Sequence, residues 1–172
     1  MTGLIDHPAN YPSLEQKVVF VTGGGSGIGE SIVTHLCQQK AKVTFVDIAE
    51  AASEALCDKI AAAGHSRPDF IKCDLRNIEE LRKAITATAA KHGPIRALVN
   101  NAGNDDRHKS EDVTPEYWDD RMAVNIRHQF LGSACFSRIV SGCGNTAGCT
   151  AEVFKTGYVV ALPAVDGDFY IC

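Results

Sequence analysis

Long apolar runs are missing from this 172-residue chain: none approaches the roughly 18 residues that a spanning helix needs. An excess of basic residues is missing too. Lys and Arg number 17 against 21 Asp and Glu, a net charge of -4, so electrostatics give no reason to expect nucleic acid or an anionic membrane as partner. The N-terminus, MTGLIDHPAN, carries Asp6 where a signal peptide would have a basic stretch ahead of a long apolar one. The expected location is the cytoplasm, and the expected partner is a small molecule. Paired cysteine spacing is absent as well. Seven cysteines, an odd number, suit free thiols in a reducing compartment better than a disulfide framework. Repeats and low-complexity tracts are absent, and 45% hydrophobic with 22% charged residues is the composition of one ordinary globular domain. A second full domain is excluded by length.

What is present, from Lys17 to about Phe130, is an alternation of short apolar runs with amphipathic stretches, the pattern of βα units on a parallel sheet. KVVFVT (17–22) reads as a strand buried on both faces, closed by GGGSGIG. The helix after it places Ile28, Ile32, Val33, Leu36 and Cys37 on one face. KVTFVD (42–47) precedes a helix over about 51–63 that buries Leu56 and Ile60 and stops at Gly64. DFIKCD (69–74) precedes a helix with Ile78, Leu81 and Ile85 that ends at Gly93 and Pro94. IRALVN (95–100) runs into Asn101, Ala102 and Gly103, then a polar loop. The next helix has Thr114 as N-cap and Pro115 at its first position, with Val113 placed to staple against Trp118.

From Leu131 the pattern changes. Cys135, Cys143, Cys149 and Cys172 crowd into the last 38 residues, with many Gly, Ala and Ser, and no ten-residue amphipathic helix can be read there. GYVVALPAV suggests a strand, although Pro163 restricts it to an edge or to no strand. The division expected is a dinucleotide-binding unit over 1–132 and a divergent tail over 133–172. A change of reading frame or of splicing near 131–133 is the simplest account of the shift in composition. A specialised C-terminus is the other, but Cys143, Cys149 and Cys172 have no two-by-two spacing and no metal is expected.

The glycine run follows a strand and opens a helix, the context in which its backbone N–H groups at a positive helix end can receive a pyrophosphate. The plainer reading is a glycine-rich turn with no ligand. Asp47 ends the next strand 18 residues after Gly29, close to the ~20 expected of a carboxylate that takes a ribose 2′-hydroxyl. That carboxylate would repel a 2′-phosphate, and the glycine loop holds no Lys or Arg to attract one, so NAD is expected rather than NADP.

TGGGSGIG, Asp47, Cys73-Asp74-Leu75, Asn100-Asn101-Ala102-Gly103 and Val124-Asn125-Ile126, in this order and spacing, resemble the short-chain dehydrogenase/reductase family over about residues 12–130. NNAGNDDRHK followed by VTPEYWDDRMAVNIRHQF resembles its NAD-dependent aldose 1-dehydrogenases of the D-xylose type. The resemblance implies an α/β fold, a Rossmann-type doubly wound parallel sheet, incomplete here at four βα units. It implies oxidation of a CH–OH group with NAD. Gly23, Ser26, Gly27, Ile28 and Gly29 would then hold the pyrophosphate, Asp47 the adenosine ribose, and Asp74 with Leu75 the adenine. Asn101, Ala102 and Gly103 would lie along the nicotinamide ribose, with Asn100 bracing the sheet. Asn125 would be the catalytic Asn that holds a water in the proton relay by bending its helix. Asp105, Asp106, Arg107 and His108 stand where a polyhydroxyl substrate could be met, or form a solvated loop.

The family's Ser and its Tyr-x-x-x-Lys are not found. Four residues after Tyr11, Tyr117 and Tyr158 stand Glu15, Arg121 and Leu162, and Tyr170 is followed only by Ile171 and Cys172. Tyr117 reads as packing, and Lys155 stands three before Tyr158 rather than four after a Tyr. Lys40 departs from the family's usual Gly at the end of the first helix, at a cost of only ~1 kcal/mol. An inactive or merely NAD-binding product is the alternative reading. Strand order 3-2-1-4 would leave the apolar fourth strand as an edge and favour self-pairing. The homo-oligomer implied by the resemblance uses elements beyond the matched region, so it is not expected to form in the usual way.

Overall fold

The computed structural model describes residues 9–140 and 159–161. Four parallel strands, β1 (Val18–Thr22), β2 (Lys42–Asp47), β3 (Asp69–Lys72) and β4 (Ile95–Asn100), alternate with helices α1 (Gly27–Gln38), α2 (Glu50–Ala62) and α3 (Ile78–His92). Helix α4 (Pro115–Met122) passes through a π-helical turn, Ala123–Arg127, into α5 (His128–Val140). The sheet order is β3-β2-β1-β4-β5, where β5 (Val159–Ala161) pairs antiparallel with β4. This is the doubly wound, Rossmann-like α/β fold.

β-Branched and aromatic residues make the strands, and the two faces of the sheet build separate cores. Residues Val19, Val21, Val43 and Phe45 pack with Val33, Cys37, Leu56 and Ile60 on the α1/α2 side. On the other side Phe20, Val46 and Leu98 meet Leu81, Ala84 and Ile85 of α3 and Phe136 of α5. The central strands β1 and β2 are buried on both faces because helices cover both. Burial raises the thiols of Cys37, Cys57 and Cys73 to about 12, about 11 and about 11, which leaves them protonated and inert.

Most helix ends follow the sequence. Gly64 (φ +83°) and Gly93 (φ +90°) end their helices, and Lys40 takes φ +61° where glycine would be easiest. The Thr114 hydroxyl accepts from the Tyr117 N–H. Four expectations are corrected. Ile28 is 64% exposed rather than on the buried face of α1, which is carried by Gly29, Val33 and Cys37. Val113 and Trp118 stay exposed at 38% and 59%, so they make no buried staple. The chain from 131 to 140 is helix, not irregular, and β4 is no edge because β5 lies against it. The expectations about Cys143, Cys149, Tyr158, Pro163 and Cys172 lie outside the described residues. Among the described residues no helix is long and apolar enough to cross a membrane.

Candidate functional site

The strand order reverses direction between β1 and β4, and in open α/β sheets the crevice at that switch point, beyond the carboxyl ends of the strands, is where ligands bind. Register places Thr22 level with Val46 on one side and Asn100 on the other. The glycine turn, Asp47, Asp74 and the segment after Asn100 therefore meet at one end of the sheet.

The glycines divide by what their missing Cβ makes room for. A Cβ on Gly23 (φ +66°) would lie 2.8 Å from the Ala102 Cα, and one on Gly24 2.6 Å from the Phe45 ring. A Cβ on Gly29 would strike the Gly23 carbonyl oxygen. These positions serve the close packing of the turn itself. Gly27 (φ +56°) has nothing within 4 Å of a Cβ, and Ser26, Gly27 and Ile28 are exposed. At the N-cap, the Ser26 side chain makes no capping bond. The first N–H groups of α1 thus face open space at the positive end of a helix, a cradle that fits a phosphate group.

Asp47 is fixed beside that cradle. Its Oδ2 accepts from the Gly25 N–H at 2.8 Å and its Oδ1 from the Ala49 N–H at 2.9 Å, which leaves lone pairs free for a ribose diol. Ile48, the next residue, is an apolar side chain 65% exposed at the same end of the sheet. Asp74 is held by Arg76, whose Nε and Nη2 and whose backbone N–H all donate to it. Those bonds hold the Asp74 carboxyl below its ordinary range. Arg76 also reaches Asp120 of α4 at 3.1 Å, joining the end of β3 to the far side of the crevice. Leu75 is 8% exposed and its side chain belongs to the core, so only its backbone can face a ligand.

The segment after β4 is tied to β1. The Thr22 hydroxyl accepts from the Asn101 and Ala102 N–H groups at 3.1 and 3.2 Å. The Asn101 amide donates to the carbonyls of Thr22 and Gly23, so its side chain braces the glycine turn. Asn100 is 1% exposed and donates to Ser133 of α5 at 3.0 Å, bracing the sheet. Gly103 is exposed. Asn125 lies in the π-helical turn, and its amide closes a double bond onto one residue: Oδ1 accepts from the Asn104 N–H at 2.6 Å and Nδ2 donates to the Asn104 carbonyl at 2.9 Å. Directly after the turn, His128 is fully buried, and burial pushes its pKa down to about 4. Among the described residues no cluster of His, Cys, Asp or Glu could hold a metal ion.

Arg76 and Asn104 were not singled out by sequence reasoning. The Asp-x-Arg spacing at 74–76 was the available signal for the first, since a side chain two residues on readily reaches back to a carboxylate. Asn104 had none, because its partner lies across the crevice.

The model of the short-chain dehydrogenase family matches residues 17–148. The chain belongs to this family. As a short-chain dehydrogenase it is 50% identical over 123 residues to a probable galactose dehydrogenase of Rhizobium meliloti, a match covering 72% of this chain and 48% of that protein. It is 45% identical over 140 residues to a D-xylose 1-dehydrogenase of Caulobacter vibrioides, covering 81% and 53%. Among solved structures, a short-chain dehydrogenase of Burkholderia cenocepacia in complex with NADP superimposes with a TM-score of 0.69 at 30% identity, covering 74% of this chain and 52% of that one. The chain spans about half the length of the curated relatives it matches. The family match runs past Phe130 into the stretch where α5 continues.

Proposed function

We propose that this short-chain dehydrogenase carries the cofactor-binding part of an NAD-linked dehydrogenase of aldoses, acting at the C1 hydroxyl. The observation that supports the cofactor is the Asp47 carboxylate, pinned by the Gly25 and Ala49 N–H groups beside an open helix N-terminus. Sugar dehydrogenases among its relatives support the substrate class.

Bound in the crevice, the dinucleotide supplies a hydride acceptor. The protein's own groups hold it. Backbone N–H groups around Ser26, Gly27 and Ile28 take the pyrophosphate, the turn being kept tight by Gly23 and Gly29, and Asp47 accepts from the adenosine ribose. The Asp74 carboxylate and the Leu75 backbone border the adenine. Asn101, Ala102 and Gly103 line the nicotinamide ribose. Asn125 fixes Asn104 at the mouth of the crevice, and the π turn around it shifts the helical carbonyls out of their usual register, which suits a water held in a proton relay. Oxidation also needs a base for the hydroxyl proton. No Tyr-x-x-x-Lys occurs in these 172 residues, so turnover is not expected from them alone.

The test is calorimetric titration with each dinucleotide. We expect NAD to bind at least about tenfold more tightly than NADP, the preference one charge-assisted contact supports. A relative's NADP complex makes that comparison decisive: equal binding, or a preference for NADP, would overturn the role given to Asp47. D-xylose and D-galactose titrated onto the NAD complex test the substrate class, and silence with both would remove it.

A further inference from the structure

The stretch after Gly103 reads as a solvated run of charge, NDDRHK, yet its contacts alternate. Asn104 is clamped by Asn125. Asp106 receives a bond at its carbonyl from the Tyr117 hydroxyl at 3.1 Å, and its N–H donates to the Asn104 amide oxygen at 2.9 Å. The His108 ring lies 4.1 Å from the Tyr117 ring, centroid to centroid. Arg121 covers the same ring at 5.3 Å, a cation over an aromatic face. By contrast Asp105 and Arg107 are exposed and have no partner among the described residues. Alternation of this kind is that of an extended chain with one side fastened and the other free.

We propose that the 104–109 loop is a preformed polar wall of the substrate site, that Tyr117 is the positioning residue which latches it to α4, and that Asp105 and Arg107 are the pair it presents. A carboxylate that only accepts and a guanidinium that only donates suit a neutral polyhydroxyl compound, whose hydroxyls do both. The wall stands at the switch-point crevice, one residue beyond the Gly103 backbone. Tyr117 touches neither substrate nor cofactor; its hydroxyl sets where Asp106 runs and therefore where its two neighbours stand. This inference rests on the aldose reading above for the identity of the ligand, while the latch stands on contacts of its own.

The experiment uses the whole chain saturated with NAD, the variants Tyr117→Phe, Asp105→Asn and their combination, and two readouts. Amide hydrogen exchange across 104–109 reads the latch. Tyr117→Phe keeps the ring against His108 and Arg121 and removes only the hydroxyl, so exchange there should quicken roughly five- to tenfold, the worth of one hydrogen bond, with the sheet unchanged. Unchanged exchange overturns the latch, whether or not a sugar binds. Calorimetry with D-galactose and D-xylose reads the wall. Each single variant should weaken sugar binding several-fold with NAD affinity unmoved, and the double variant should lose less than the two single losses combined, because part of what Tyr117 does runs through Asp105. Additive losses, or undiminished sugar binding in Tyr117→Phe, overturn the positioning role. A loop that loosens in a chain that binds neither sugar overturns the wall together with the aldose reading, while the NAD titration still reports on the cofactor separately.

Discussion

Two glycines two residues apart carry opposite duties. At Gly29 a methyl group would meet the Gly23 carbonyl and the Asn101 amide, so Gly29→Ala must move backbone, and we expect a loss of about 3 kcal/mol or more in a urea titration. At Gly27 a methyl group meets nothing. Its φ of +56° makes Gly27→Ala cost only about 1–2 kcal/mol of stability, while NAD affinity should fall sharply, because the methyl stands where the phosphate approaches. If Gly27→Ala binds NAD as the parent does, the cradle is elsewhere. The motif GGGSGIG was legible in the sequence, but which glycine served the turn and which the opening was not, since that depends on Phe45, Ala102 and Asn101, residues 21 to 79 positions away from the glycines they meet.

At the scale of elements, the four strands were legible because each is an apolar, β-branched run between turn residues, and the first three helices because their apolar residues recur on one face. Helix α5 was hidden. Its stretch GSACFS is poor in helix formers, so intrinsic preference argues against the element it makes. Packing explains the discrepancy: a Cβ on Gly132 would stand 3.2 Å from Leu81 Cδ2 of α3, and Ser133 is buried against Asn100. Small residues let two helices approach closely, and the composition that blurred the reading is what the contact requires. Phe136, 2% exposed in the α3 core, tests this. Phe136→Ala should cost about 3–5 kcal/mol by chemical denaturation, whereas a loss under about 0.5 kcal/mol would mean that the stretch is surface. The 104–109 loop was illegible for a related reason. Its charges suggested water, and the partners that fasten it come from α4 and the π turn.

For the molecule as a whole, acid should act first through His128. Its folded pKa of about 4 lies below the ordinary 6.5, so between those values the unfolded chain takes up a proton that the folded chain refuses. Stability therefore falls as pH drops from 6.5 towards 4, by up to about 1.4 kcal/mol per pH unit and about 3 kcal/mol in all. The lowered carboxyls of Asp69, Asp74 and Asp120 lose their contribution only below about pH 4, outside that window. Denaturation midpoints at pH 7, 5.5 and 4.5 measure the slope, and His128→Gln should flatten it. A slope that survives the substitution would place the proton on another group.

The one-sided fastening of the 104–109 loop also bears on how the protein meets a protease. Arg107 and Lys109, the residues trypsin cuts after, lie on the free side of a strip whose backbone is bound at Asn104 and Asp106. A protease must draw several residues into its own cleft, so cleavage there follows the fraction of time the strip is released rather than the exposure of its side chains. Nicking at these two bonds becomes a clock for the latch, slow in the parent and faster in Tyr117→Phe. Any compound that settles against the wall should slow it further, a simple way to find a ligand before its chemistry is known.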